Sequence, residues 1–138
     1  MKGLSTLIRA QRWRVDAMRR EIGQFEGLVA ERRDHAIRFE AEVLDEQRLA
    51  AVDPVARYAY ASGYAGAVIH RRAEIAQAIA EAEAELAVRR EQLAELFAEL
   101  KRYELVEERQ AAREAQEAAR REAIALDELS LEMHRRGQ

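Results

Sequence analysis

The chain has 138 residues, a net charge of −3 and no cysteine. Charged residues make up 36% and hydrophobic residues 49%, but aromatics only 6%, with no asparagine and a single threonine. That balance excludes disulfides and Cys-based zinc sites, argues against a global nucleic-acid binder, and favours long helices with a narrow apolar seam over a thick globular core.

The first predicted helix runs from about residue 4 to 50. Steps of four and three from Leu4 land on Ile8, Gln11, Val15, Met18, Ile22, Phe25, Val29, Arg32, Ala36, Phe39, Val43, Glu46 and Ala50, and eleven of these fourteen positions are apolar. A sustained repeat of 3.5 residues predicts a coiled-coil seam. Gly23 and Gly27 lie off it. They read either as a soft spot, each costing about 1 kcal/mol against alanine, or as a small-residue face for a partner helix.

A tip follows at about 51–54. Pro54 is the only proline. Its fixed φ and missing N–H suit the first position of a helix, and Asp53 before it suits the N-cap. Tyr58, Tyr60 and Tyr64 then cluster beside the tip, with Gly63 and Gly66 around them. They read equally as a cap over the end of the seam or as an aromatic contact patch.

The second helix should run from about 54 to 134. Its seam is Ala65, Val68, Arg72, Ile75, Ile79, Ala82, Leu86, Arg89, Leu93, Leu96, Leu100 and Tyr103. Beyond Tyr103 the same steps meet Glu107, Gln110, Glu114, Glu117 and Arg121. If the chain folds back near residue 52, facing residue numbers sum to about 104, which sets Met1 against Tyr103. A slip of one heptad, to about 111, would replace an Arg32–Arg72 layer by Arg32 against Ile79. Either register gives an all-α fold: two long helices in an antiparallel coiled-coil hairpin, treated as one domain over 1–138. At 1.5 Å per residue the shaft comes to about 70 Å, with an unpaired overhang of about 45 Å. Ile124, Leu126, Leu129 and Leu131 then have no intramolecular partner and read as a docking or self-association patch.

Enzymatic signatures are missing. None of His35, His70 and His134 stands three residues after a glutamate, so the Glu-x-x-His ligand pair is absent. There is no phosphate loop, no Gly-x-Ser-x-Gly and no His-Glu-x-x-His. The expectation is a non-enzyme without cofactor, metal or small-molecule substrate. No stretch is long and apolar enough for a bilayer span, and no apolar signal core follows the basic N-terminus, so a cytoplasmic location is expected. Residues 1–20 hold six basic groups against Asp16, whereas residues 104–132 hold nine acids against four arginines. The basic start is needed to face the acidic overhang, which further disfavours nucleic acid.

The stretch Lys101-Arg-Tyr-Glu-Leu-Val-Glu-Glu-Arg109, the Glu/Ala/Arg-rich helix after it and Leu126-Asp127-Glu128 resemble the flagellar export protein FliJ family. The Leu4-x-x-Leu7-Ile8-Arg9 opening, the Tyr-rich start of the second helix and the two-helix layout fit as well, so the resemblance spans the chain. It implies a stalk-like coiled coil of the type III export apparatus that binds the export ATPase ring, links it to the membrane export gate and also handles export chaperones. It implies a cytoplasmic protein, peripheral at the inner face of the membrane. Carried over, the ring contacts would be Lys101, Leu105, Glu108, Arg109, Asp127 and Glu128. The gate contacts would be Tyr60, Tyr64 and Val68, in a tip richer in Ala and Gly than the family pattern. A structural homodimeric coiled coil and a virulence-type secretion stalk are the alternatives.

Overall fold

The computed structural model describes residues 2–137. Helix α1 covers Lys2–Val52, α2 covers Pro54–Ala59, and α3 covers Ala65–Arg136, with one widened π-type turn at Tyr60–Tyr64 between α2 and α3. The two legs pack as an antiparallel helical hairpin, and the described residues divide into two compact units, one of residues 15–95 and one formed by residues 2–14 with residues 96–137.

The turn of the hairpin follows from Asp53 and Pro54. Asp53 is extended (φ −116°, ψ 117°), its carboxylate accepts from the Val55 N–H at 3.0 Å, and Pro54 opens α2. The last carbonyls of α1 need donors, and no basic residue stands in its final turn. Arg57 supplies them from across the turn, donating to the carbonyls of Ala50 (3.1 Å) and Ala51 (3.2 Å).

The second leg is not one uninterrupted helix. Gly63 leaves the helical region (φ 162°, ψ −20°), and the Ala65 N–H reaches back to the Tyr60 carbonyl, five residues earlier. Ser62 also turns its hydroxyl onto the Ala59 carbonyl at 3.2 Å. An adjacent Ser-Gly pair is a recognised cause of such a kink.

In the unit of residues 15–95, Ile22 and Val29 of α1 share an apolar cluster with Ala82 and Leu86 of α3, flanked by Met18, Phe25, Leu28 and Leu93. Arg89 donates to Glu21 at 2.9 Å and lies 3.9 Å over the Phe25 ring, while Arg72 grips Glu40 through two bonds of 2.6 and 2.9 Å. Residues that face each other therefore sum to about 111, not 104, so the slipped register is the one adopted. Its benefit is visible at Arg32, which lies beside Ile75 and Ala78 instead of meeting Arg72. Gly23 and Gly27 are exposed, with open space where a Cβ would stand, so none of the described residues crowds them.

In the other unit, Leu4 and Ile8 are buried with Leu100. Gln11 takes a seam position between them and Val15 in the sequence and is 1% exposed, the one buried polar side chain among the described residues. Its Nε2 donates to the Leu96 carbonyl (3.0 Å) and to Glu99 Oε2 (3.2 Å). A buried amide bonded to one place on the facing helix is a register lock. The expected Met1–Tyr103 pairing falls on a residue outside those described.

Candidate functional site

Two surfaces stand out, and neither is a cleft. The first is the free part of α3. Pairing with α1 continues beyond Tyr103, because Arg12 reaches Glu104 at 3.5 Å and Gln110 is still half-buried. From Ala111 to Gly137 every residue is exposed. The overhang thus begins about seven residues later than a fold-back near residue 52 implied, the displacement that a one-heptad slip produces.

The implied ring residues all lie on α3 but not in one cluster. Lys101, Leu105 and Glu108 recur at helical spacing along one stripe, with Arg109 one turn after Leu105. Lys101 sits 5.3 Å over the Phe97 ring and 3.4 Å from Glu104, so its charge is partly engaged within the helix. Leu105 and Val106 are exposed apolar residues. Asp127 and Glu128 are exposed too, but about 27 Å farther along the axis from Arg109. Beside them Ile124, Leu126, Leu129, Leu131 and Met133 are exposed. Just before Lys101, Glu99 accepts the Tyr103 hydroxyl at 2.5 Å as well as the Gln11 amide. The bond to Glu99, then burial, raises the Tyr103 pKa.

The second surface is the tip, and its tyrosines part company. Tyr60 and Tyr64 are half-buried with ring centroids 5.1 Å apart, tilted by 53°. Tyr60 accepts from Gln47 Nε2 of α1 at 3.0 Å. Burial, followed by the nearby Glu46, Tyr60 and Glu42, raises the Tyr64 pKa. These two rings therefore cover the seam. Tyr58 instead faces solvent, and Val68 is only 5% exposed, a seam residue with little surface for a partner. The sequence reading passed over Val52 and Val55, which stand out beside Tyr58. The scarcity of charge between Leu49 and Ile69 was the signal that could have found them.

Among the described residues no group of three or more His, Cys, Asp or Glu could hold a metal ion, and no helix is long and apolar enough to cross a membrane. One open groove is lined by charge, where Glu26, Arg33, Glu83 and Arg90 surround Val29 and Leu86; another, between Phe39, Ile75 and Ile79, is mostly apolar.

The sequence profile of the family described as Flagellar FliJ protein matches residues 1–138. The chain belongs to the FliJ family. No curated protein and no solved structure matches it. Membership makes the chain a component of the flagellar export apparatus, from a family known for protein export rather than enzymatic activity. In this FliJ-family chain the α3 extension and the charge-poor tip both expose apolar side chains.

Proposed function

We propose that this chain is a non-enzymatic, stalk-like component of the flagellar export apparatus, and that its α3 extension binds the export ATPase ring. Leu105, Glu108 and Arg109 would form the near contact, with Lys101 positioned behind them, and Asp127 and Glu128 the far one. The tip around Tyr60, Tyr64 and Val68 would face the membrane export gate, placing the protein in the cytoplasm, peripheral to the inner face of the membrane. Export chaperones would dock on the same α3 extension. The observation that carries this reading is the stretch from Ala111 to Gly137, where every residue is exposed and an apolar cluster is left uncovered by the other described residues. An exposed helix of this kind gains little from its own chain and is explained by an external partner.

Truncation tests it. A chain ending at Gln110 keeps every buried residue and should melt as the full chain does. It keeps the near contact but loses the far one, so it should stimulate, and co-sediment with, the cognate export ATPase far less than the full chain does. Full stimulation by that truncated chain would refute the assignment. A homodimer zipped through the overhangs is the second reading, favoured by the same apolar cluster. It requires a dimer in sedimentation equilibrium at micromolar concentration that disappears on truncation at Gln110.

A further inference from the structure

We infer that the hairpin tip inserts its apolar side chains into the headgroup–acyl boundary of a lipid bilayer. From Leu49 to Ile69 the chain carries only two charges, Asp53 and Arg57. Both are spent on the backbone: Asp53 caps the Val55 N–H, and Arg57 caps the carbonyls of Ala50 and Ala51. The Asp53 N–H goes to the Leu49 carbonyl and the Arg57 N–H to the Asp53 carbonyl. The peptide groups of the turn are thus largely satisfied internally, which is the condition for leaving water without a large penalty.

The side chains around this closed turn are apolar and outward. Val52 is 78% exposed, Val55 77% and Tyr58 77%, with Leu49 half-exposed beside them. Leu49 and Val52 are three apart on α1, and Val55 and Tyr58 three apart on α2, so each pair shares a face. A tyrosine with an apolar ring and a wet hydroxyl suits the membrane–water interface. The nearest charges on α1, Arg48, Glu46 and Asp45, are exposed, of both signs and set back from Val52, Val55 and Tyr58. The charges behind the tip are mixed. Arg72 is held by Glu40, and Arg71 and His70 by Glu74. Attachment is therefore apolar, with little dependence on anionic lipid or salt.

This inference deepens the peripheral-membrane part of the proposed role and rests on it, but not on the ring assignment. The test uses the full chain carrying Trp13→Phe and Tyr58→Trp, with phosphatidylcholine vesicles and vesicles containing phosphatidylglycerol. The protein should float with both vesicle types, at low and high salt. Emission from position 58 should shift to the blue and be quenched by brominated acyl chains. Val55→Asp should lower partitioning on the order of tenfold or more without changing the melting curve. Failure to float, flotation that Val55→Asp leaves intact, or flotation confined to anionic vesicles at low salt would each overturn the inference. Binding only to vesicles that contain the gate protein would also overturn it, while leaving the peripheral-membrane reading in place.

Discussion

Gln11 offers the sharpest test of how the register is held. Gln11→Ala removes a neutral bond to the Leu96 carbonyl and a bond to the half-buried Glu99 carboxylate, and it opens a void in the seam. At about 1 kcal/mol for the first bond and slightly more for the second, plus the lost packing, the cost is about 2–3 kcal/mol. For a chain of this size the melting temperature should fall by about 6–12 °C. Gln11→Leu loses the same bonds but fills the space. Glu99 keeps the Tyr103 hydroxyl and the Leu96 carbonyl keeps its place in the helix, so neither is orphaned. Its stability should lie within about 1 kcal/mol of the parent. What Gln11→Leu should lose is uniqueness. Spin labels at the exposed positions Arg9 and Arg102 should give one narrow distance in the parent and a second population in the leucine variant. Urea denaturation followed by circular dichroism, with that distance measurement, decides the matter. Equal loss in the two variants, or a single unchanged distance in Gln11→Leu, would refute the register-lock argument.

Gly23→Ala and Gly27→Ala should each stabilise the chain by about 0.5–1 kcal/mol, because each is an exposed helical position where a Cβ meets nothing; a drop in melting temperature would mean that another chain needs those positions small. Glu40 has a pKa held below the ordinary glutamate value, first by its hydrogen bonds from Arg72. Its contribution is present above the unfolded-state pKa and is lost as pH falls through the folded one. Urea midpoints at pH 7 and pH 3.5 should therefore differ less in Arg72→Ala than in the parent. In refolding by stopped flow, Arg57→Ala should slow folding, whereas Gln11→Ala should mainly speed unfolding; the reverse assignment would show that the hairpin does not close from its turn.

The seam was legible because a period of 3.5 residues is a property of sequence. Leu4, Ile8, Val15, Ile22, Val29 and Val43 are all buried, as are Val68, Ile75, Ala82, Leu86 and Leu100. Register was not, since a slip of one heptad keeps the same residues inward. What separates the two states is contact between residues far apart in sequence, such as Gln11 with Leu96 and Arg72 with Glu40. The capping of α1 by Arg57 was hidden for a related reason, because that donor comes from beyond the turn. The widened turn at Tyr60–Tyr64 had a local signal in Ser62-Gly63 that helix propensity outweighed. Roles for Lys101, Glu108 or Asp127 are not written in the chain's own packing, because exposed residues are selected by what they touch and not by what they support.

The distances along the chain between its two fastenings set an order of events. Arg57 closes on Ala50 across 7 residues, whereas Gln11 meets Leu96 across 85. The short loop closes first, since the entropic cost of closure rises with loop length. The legs then pair outward from the turn. Arg72 meets Glu40 across 32 residues and gives an early test of alignment. Gln11 gives the last one, next to the end from which the α3 extension emerges.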